Sequence, residues 1–496
     1  MAFTFRNNYL HCEDVKLKDI QTKLEQCYSE SASPVFIYSQ QQLEDNIKAY
    51  KDALGQIPNQ TTVNYSIKAN SNPELLKIIK DAGCSLTLVS GNELRLALKL
   101  GFDPKKILLN GNGKTRWETT LAVKSGCLIN VDSDFDLRQA IQVCHELKVE
   151  ANILLRINLN IDVNVHPYVS TGMAGSKFGI DEDQLDNILD IVKNTTYINV
   201  VGLHCHLGST IEDLVAIRLC MNNLKNLAVD LNKLPFVNLK CINIGGGLNI
   251  DYYTRGDDTK SCHHETDSQL EAVNTWIKSV SGRNGIAAQM SNVHQSYSNK
   301  ECTRSHWLNT LRAGESELNV DLPESLNKEH FPNPGDLIGE LKEVNFDKSF
   351  DIIVEPGRSI VGNTAVLLST VLGCKESGNI RFIITTGSMT EVIRPSLYGS
   401  YHHIDLIEPS RHSRRYLYNV VGPVCESADF LGKERFLNTP HVGCGLAIWD
   451  VGAYCYSMAS NYNLRGRAAE ILVSGSTWRI IKKPESFEDM MTCYSC

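Results

Sequence analysis

The feature that most constrains the fold is an alternation of short apolar runs with helical patterns from about residue 35 to residue 360. The apolar runs, most of which end in polar or glycine-rich residues, are "PVFIY", "TVNYSI", "KILLN", "CLINV", "ANILLRI", "VVGLHCHLG", "KCINIGGG" and "DIIVEPG". Helical patterns such as "NPELLKIIKDAG", with a proline near the start and a glycine after the end, lie between several of them. Strands separated by helices predict a parallel sheet, and about eight such units predict a closed (β/α)8 barrel of the TIM type.

The pattern changes after about residue 362. The runs "TAVLLSTVLG", "IRFIITT", "YLYNVVGPV" and "GLAIWDVGAY" are rich in β-formers and are joined by turns rather than long helices. They predict a mostly antiparallel β-domain. Because the first barrel strand is expected near Thr62, the N-terminal segment is predicted to complete this β-domain. The predicted fold class is α/β, with an N-terminal segment (1–42), a barrel (43–362) and a C-terminal β-domain (363–496).

One region, at about 254–345, fits the barrel pattern poorly. It separates two barrel strands, is much longer than a crossover helix requires, and is polar and weakly periodic, which predicts a surface insertion. The sequence Cys262-His263-His264 lies within it. No second ligand cluster follows at a matching spacing, so we predict no metal site.

Composition excludes several classes of function. A net charge of −8 and a pI near 6.0 leave no basic footprint for nucleic acid. No apolar run approaches the roughly 20 residues that span a bilayer, and the N-terminus lacks the apolar core of a signal peptide. The 16 cysteines show no regular framework, which favours reduced thiols and a cytoplasmic location. We therefore expect neither a nucleic-acid nor a membrane partner.

Several polar or glycine residues fall where barrel strands end, which is where the chemistry of such barrels gathers. They are Lys68, His206, the run Gly245–Gly247 and Glu355. Taken singly, they have structural explanations, such as a lysine that reaches solvent, a satisfied histidine, a tight turn or half of an ion pair. Together they offer an amine for an aldehyde, a ring for stacking, backbone N–H groups for a phosphate and a carboxylate for a pyridine nitrogen. These are the needs of pyridoxal 5′-phosphate.

Ordered motifs add a family resemblance. "YSIKAN", "HCHLGS", "GGG", "EPGRSIVGN", "GPVCESADF" and "GAYCYSMASNYN" resemble, in this order, the decarboxylases that combine an alanine-racemase-like barrel with a β-domain. "VSGNEL", "NGNGK", "HPYVSTG", "KFGI" and "IRPSLYGSYHHI" are more similar to the diaminopimelate decarboxylase family than to ornithine or arginine decarboxylases. The resemblance covers roughly residues 34–253 and 346–482.

The resemblance implies roles for the cofactor residues. Lys68 looks like the lysine that bonds to pyridoxal phosphate, His206 like the ring that stacks on its pyridine, and Glu355 like the partner of its nitrogen. The residues implied to lie near the phosphate are Ser209, Gly246, Gly247 and Tyr454, with backbone from the turn at 355–358.

The resemblance also implies substrate contacts. Those expected to bind the substrate's distal carboxylate are Arg358, Arg394 and Tyr398, because a planar guanidinium pairs bidentately with a carboxylate. Cys425 looks like the acid that protonates Cα, and Glu426 like the group that binds the distal amine. Both belong to a segment that such enzymes insert into a neighbouring subunit, which implies a homodimer with shared active sites.

The implied activity is pyridoxal-phosphate-dependent decarboxylation of meso-2,6-diaminopimelate to L-lysine and carbon dioxide, a step of lysine biosynthesis. Two alternatives stay open: a decarboxylase of the same fold for another amino acid or a specialised-metabolite carboxylate, and an inactive cofactor-binding homologue that acts as a regulator. Arg394 and Tyr398 favour a substrate with a second carboxylate, and the retention of Lys68 and Cys425 favours an active enzyme. The sequence departs from the family at Thr210 and Thr390, which stand where glutamine and asparagine are usual.

Overall fold

The structure is a computed structural model that describes residues 2–28, 32–161, 172, 175–252, 273, 275–278, 290, 331–408 and 414–495. The chain forms two compact units. One combines Leu43–Ile250 with Pro332–Val361, and the other combines Met1–Gln42, Asp251–Phe331 and Gly362–Cys496.

The N-terminal segment folds with the second unit. A small antiparallel sheet contains β1 (Phe3–Arg6), β2 (Tyr9–Cys12) and β3 (Val15–Lys16), and it is followed by α1 (Leu17–Tyr28) and β4 (Val35–Ser39). Helix α1 buries one face because Leu17, Ile20 and Leu24 recur at helical spacing. These side chains and Ile37 of β4 join the apolar core of the β-domain.

Eight parallel strands close a barrel in the first unit, as predicted. After α2 (Gln40–Leu54), the strands are β5 (Thr61–Ser66), β6 (Ser85–Leu88), β7 (Leu108–Leu109), β8 (Leu128–Val131), β9 (Ala151–Arg156), β10 (Ile198–His204), β11 (Cys241–Asn243) and β12 (Asp351–Val354). Each pairs with the next, and β12 returns to β5 with Ile352 opposite Thr61. The carboxyl ends of all eight strands therefore meet at one mouth.

One barrel strand escaped the sequence analysis. The run "PVFIY", predicted as a barrel strand, corresponds to β4 of the β-domain. The barrel strand that was not predicted is β6, "SLTL". Strands of a parallel sheet usually read as continuous apolar runs, because both faces are covered. Ser85 and Thr87 break that pattern, although both are buried.

The barrel helices are α3 (Pro73–Asp81), α4 (Gly91–Lys99), α5 (Arg116–Ser125), α6 (Asp134–Leu147), α7 (Leu185–Lys193), α8 (Leu214–Leu231), α9 (Pro334–Val344) and α10 (Arg358–Val361). Their starts carry clear signals. Helix α3 begins with Pro73 after Asn72, whose side chain accepts from the backbone N–H of Glu74. In the described ranges, 3₁₀ turns occupy Ile67–Ala69, Pro104–Lys106, Glu182–Gln184, Gly362–Thr364, Tyr456–Met458 and Tyr462–Leu464.

Helix α9 corrects the predicted insertion at about 254–345. Asn333 and Asp336 form a capping box at its start, and the helix packs against α8, where Lys225 Nζ donates to the carbonyl of Val344 at 2.7 Å. Residues 334–344 are thus the crossover helix before β12. The sequence did not predict this helix because a long polar stretch precedes it. Most of the range before them lies outside the described residues, so the insertion itself stays a prediction.

The second unit contains the predicted β-domain. Its further strands are β13 (Ala365–Ser377), β14 (Ile380–Thr385), β15 (Ile404–Leu406), β16 (Arg415–Val421), β17 (Phe430–Asn438), β18 (Gly445–Trp449), β19 (Ala469–Ser474) and β20 (Thr477–Lys482). The sheet order is β17-β16-β14-β13-β4-β19-β20, and β18 pairs with both β13 and β15. Most described pairs are antiparallel, and β14 with β16 and β4 with β19 are parallel. Two short helices, α11 (Arg394–Tyr398) and α12 (Phe487–Met491), accompany it.

Within the described ranges, no helix has the length and apolar character needed to cross a bilayer. The cysteines of these ranges are all free thiols, and most of them are buried.

Candidate active site

The centre of the barrel mouth is the carboxylate of Glu355, which follows β12 and is 5% exposed. Oε1 accepts from Thr87 Oγ1 and from Asn243 Nδ2, each at 2.8 Å, and Oε2 lies 3.3 Å from His204 Nε2. Burial alone would raise the pKa of this carboxyl. The electrostatic interaction with His204, the hydrogen bonds from His204 and Asn243, and the electrostatic interaction with His206 outweigh burial and lower the pKa of Glu355 to about 2. Glu355 is therefore an anion at neutral pH.

A chain of amide side chains fixes which nitrogen of His204 carries the proton. The backbone N–H of Gly111 donates to Asn110 Oδ1 at 2.8 Å, which identifies this atom as the amide oxygen. The same oxygen accepts from Asn130 Nδ2 at 3.0 Å. Asn130 Nδ2 in turn donates to His204 Nδ1 at 2.9 Å. With Nδ1 accepting, the neutral imidazole carries its hydrogen on Nε2 and donates it to Glu355.

A second imidazole, His206, lies two residues beyond and is half-buried. Burial, followed by the positive charges of Lys68 and Arg156, lowers the pKa of His206 well below its usual value. Its Nδ1 accepts from the backbone N–H of Gly246 at 3.3 Å. His206 is thus a neutral, flat ring, and Lys68, in the turn Ile67–Ala69 after β5, is close enough to act on it electrostatically.

The glycine run after β11 lets three strand ends approach one another. A Cβ on Gly246 would lie 2.0 Å from the carbonyl oxygen of Glu355, and one on Gly247 would lie 2.3 Å from that of Gly208. Gly247 also has φ = 108°, a conformation that side chains rarely adopt. The turn is therefore specific to glycine because backbone from the segments after β10 and β12 fills the space of a side chain.

Donors for an anion gather beside this turn. Within the described part of the chain, the backbone N–H groups of Ser209 and Gly247 donate to no protein acceptor. Arg358, 5% exposed, donates through Nη2 to Ser209 Oγ at 3.0 Å and brings its positive charge to the same place. Backbone donors with a guanidinium suit a phosphate group, so these residues fit the phosphate of pyridoxal phosphate.

The β-domain unit holds a buried guanidinium. Arg394, which begins α11, is 3% exposed. Its Nη1 donates to Tyr252 Oη at 3.0 Å and to His402 Nε2 at 2.9 Å, and its Nη2 donates to Ser400 Oγ at 3.3 Å. Among the described residues, no carboxylate forms an ion pair with Arg394, and its Nε has no hydrogen-bond acceptor. A buried cation with only neutral partners is costly unless an anion binds it.

The loop that carries Cys425 is tied down by its neighbours. Asp429 accepts from the backbone N–H of Met389 at 2.7 Å and of Val424 at 2.8 Å, one on each carboxylate oxygen. The backbone N–H of Cys425 donates to Asn463 Oδ1 at 2.8 Å. The Cys425 side chain itself is exposed. The loop therefore presents a thiol on a constrained backbone.

The remaining predicted residues are placed as follows. Glu426 is exposed next to Cys425, and its Oε1 accepts from the backbone N–H of Ala428 at 3.3 Å. Tyr398 is half-buried at the end of α11, and Tyr454 is half-buried with φ = 58°. The structure brings together the predicted residues of the barrel at its mouth. Those of the β-domain lie on α11, on the Cys425 loop and after β18.

Of the two departures from the family pattern, only Thr390 has a local explanation. Thr390 is 1% exposed and donates to Glu391 Oε1 at 2.9 Å, so its hydroxyl is satisfied inside the β-domain. Thr210 adopts φ = 61° directly after Ser209.

Sequence reasoning missed several residues that support the site. They are Thr87, Asn110, Asn130, Asn243, Tyr252, His402 and Asp429. For the barrel members the available signal was a polar residue within or beside an apolar strand run. No such signal marks Asp429 or His402. Within the described ranges, no group of His, Cys, Asp and Glu could hold a metal ion, and Cys262-His263-His264 lie outside them.

Comparison with known families assigns the class. The model of the pyridoxal-dependent decarboxylases, pyridoxal-binding domain, matches residues 40–287. This match agrees with the barrel, the phosphate donors and the ionised Glu355. The protein is a pyridoxal-phosphate-dependent decarboxylase.

Relatives over the full length narrow this class. A probable chloroplastic diaminopimelate decarboxylase of Oryza sativa subsp. japonica is 38% identical over 98% of this chain and 83% of its own length. Diaminopimelate decarboxylase of Aquifex aeolicus is 31% identical over 98% of this chain and 95% of its own. The chain therefore belongs to the diaminopimelate decarboxylase family.

Solved structures confirm the fold. Diaminopimelate decarboxylase of Helicobacter pylori complexed with L-lysine superposes with a TM-score of 0.75 at 28% identity, covering 94% of this chain and 98% of that one. The enzyme of M. jannaschii in co-complex with L-lysine gives a TM-score of 0.78 at 25% identity, covering 100% and 98%.

Proposed function

We propose that this decarboxylase converts meso-2,6-diaminopimelate to L-lysine and carbon dioxide in lysine biosynthesis. The observation that carries the proposal is Arg394, a buried guanidinium whose contacts in the described ranges are all neutral. A carboxylate is the natural partner for such a group. Diaminopimelate has a second carboxylate beyond the one that leaves, whereas lysine and ornithine do not.

The complexes of the two solved relatives support this choice. L-lysine, present in both, carries an amine at one end and a carboxylate at the other. A site that binds a carboxylate at the end of the molecule far from the reacting amine would hold both L-lysine and diaminopimelate. We propose that Arg358 and Tyr398, the latter at the end of α11, also contact the distal carboxylate.

The residues of the barrel mouth would hold pyridoxal phosphate. When bound, this cofactor withdraws the electrons left behind as the carboxylate departs. Lys68 would bond to its aldehyde and His206 would cover its ring face. The ionised Glu355 would keep its ring nitrogen protonated, since an anion favours the positive partner. Ser209, Gly246, Gly247 and Tyr454 complete the proposed phosphate contacts.

We propose Cys425 as the acid that returns a proton to Cα, and Glu426 as the group that binds the distal amine. Both side chains are exposed on the constrained loop described above. An exposed thiol and carboxylate on a fixed loop are suited to reach a neighbouring molecule. The proposed active form is therefore a homodimer in which each Cys425 serves the other subunit's Lys68.

A substrate panel tests the proposal. Purified holoenzyme is given meso-diaminopimelate, lysine, ornithine or arginine, and released carbon dioxide is measured. We expect release from diaminopimelate alone, with L-lysine as the product. Turnover of another amino acid would favour the first alternative, and no turnover despite bound cofactor would favour an inactive regulator. The cytoplasmic location stays a prediction, and the Oryza relative is named as chloroplastic.

A further inference from the structure

His402 is a buried imidazole beside Arg394 that no role described above uses. It is fully buried, with both ring nitrogens engaged. Nδ1 lies 2.8 Å from the carbonyl oxygen of Trp449, and Nε2 lies 2.9 Å from Arg394 Nη1. A carbonyl can only accept and a guanidinium can only donate. Nδ1 therefore carries the hydrogen, and Nε2 is the acceptor for Arg394.

The partner of Nδ1 is anchored in the sheet. Trp449 ends β18 and pairs with Val366 of β13, and its own backbone N–H donates to the carbonyl of His403 at 2.9 Å. The ring of Tyr252 packs edge-on against His402, with centroids 5.4 Å apart and planes at 78°. The imidazole thus has one orientation, fixed from both sides.

These contacts also orient the guanidinium. Nη1 has two N–H groups, and Tyr252 Oη and His402 Nε2 accept one each. Ser400 takes a weaker bond from Nη2, and Nε has no acceptor in the described ranges. The edge formed by Nε and Nη2 is therefore the one left for a ligand. Its two parallel N–H groups match the two oxygens of a carboxylate.

We propose that His402 is a positioning residue that turns this edge of Arg394 toward the second carboxylate of the substrate. The inference rests on the proposed function, because it assumes that Arg394 reads that carboxylate. His402 then sets the preference of the site for amines that carry a distal carboxylate over those that lack one.

Two ligands that differ by one carboxylate test this role. L-lysine and 1,5-diaminopentane share the amine and the chain, and only L-lysine has the carboxylate. Binding of each to the holoenzyme is followed through the visible absorbance of bound pyridoxal phosphate. We expect the wild type to prefer L-lysine, and the ratio of the two dissociation constants is the readout.

Two amide variants separate the contacts of His402. His402→Asn keeps a donor for the Trp449 carbonyl and loses the acceptor for Arg394, whereas His402→Gln can keep an acceptor near the Nε2 position. We expect His402→Asn to reduce the preference for L-lysine by about tenfold or more, as for a lost hydrogen bond to a charged group. His402→Gln should retain most of it, and neither should change binding of 1,5-diaminopentane. Tyr252→Phe removes the other Nη1 acceptor and should lower the same ratio, even if His402→Asn fails to fold.

The outcomes are distinct. An unchanged ratio in a folded His402→Asn variant overturns the positioning role, and so does equal weakening of both ligands. No preference for L-lysine in the wild type would overturn the proposed function itself, together with the inference that depends on it.

Discussion

At the scale of single residues, the barrel mouth shows how neutral donors keep a buried acid ionised. Burial opposes the charge of Glu355, yet Thr87, Asn243 and His204 supply three hydrogen bonds to its two oxygens. Together with electrostatic interactions with His204 and His206, they lower its pKa to about 2. The protein's own hydrogen bonds therefore supply the anion that we propose for the pyridine nitrogen.

This carboxylate gives a pH-dependent prediction for the cofactor-free protein. Its pKa is about 2 when folded, below the roughly 4.3 of an unfolded glutamate. The ionised group therefore stabilises the fold above the unfolded pKa, and this contribution is lost as pH falls toward the folded pKa. We expect Glu355→Gln to lower the melting temperature at pH 7. The difference in melting temperature between this variant and the wild type should become smaller below about pH 4.3.

Calorimetric scans at several pH values provide the measurement. Glu25→Gln, on the exposed face of α1, is the matched control and should show no such narrowing. A difference between wild type and Glu355→Gln that stays constant with pH would contradict an ionised Glu355.

At the scale of elements, the loop that carries Cys425 is held in place by the buried side chain of Asp429. Asp429 accepts hydrogen bonds from the backbone N–H groups of Met389 and Val424, and Val424 directly precedes Cys425. Asn463 accepts a hydrogen bond from the backbone N–H of Cys425 itself. Among the side chains of this loop, Val424 is buried and those of residues 425–427 are exposed. The position of the exposed part therefore depends on these few polar contacts.

We predict that Asp429→Asn slows turnover while the cofactor stays bound. The amide nitrogen would face a backbone N–H, so one of the two contacts is replaced by a clash between donors. The expected loss in turnover is about tenfold or more, because displacement of Cys425, the proposed proton donor, would cost rate steeply. Asp489→Asn is the control, since Asp489 likewise accepts a backbone N–H, from Ser486, but at the start of α12. Steady-state kinetics and cofactor absorbance measured side by side check this, and a full turnover rate in Asp429→Asn would refute it.

At the scale of the whole molecule, the proposed reaction uses Lys68 from the barrel and Cys425 from the β-domain. The family resemblance implies that these come from different subunits. Two inactive variants test that arrangement. Lys68→Ala should abolish the visible absorbance of bound cofactor, whereas Cys425→Ala should keep it and slow turnover by roughly 10²–10⁴-fold.

Mixing the two variants, with exchange of subunits, should restore activity. A hybrid dimer would contain one site with both Lys68 and Cys425 intact. Random pairing makes half of the dimers hybrids, so about a quarter of wild-type activity is expected. Cys374→Ala, an exposed cysteine on β13, is the control and should be fully active without mixing. No recovery on mixing, with exchange verified by mass spectrometry, would place both residues in one subunit.

Local patterns were sufficient for most of the architecture. Apolar runs that end in polar residues located seven of the eight barrel strands, because burial of a parallel strand leaves a continuous apolar signature. Strand β6 was missed where Ser85 and Thr87 replaced apolar residues, and helix α9 was hidden by the polar range before it. The first error comes from reading composition where the decisive contacts are with distant strands, whereas the second left unread a local signal, the capping box of Asn333 and Asp336.

The sequence by itself determined the two-domain α/β organisation, the family, and the residues at the strand ends that suit pyridoxal phosphate. Only the tertiary structure decided that Thr87, Asn243 and His204 converge on Glu355, and that His402 accepts a hydrogen bond from Arg394. The physical reason is that local sequence sets backbone period and burial. The hydrogen bonds that tune a charge join side chains far apart in the chain, and they exist only once the barrel closes and the sheet forms.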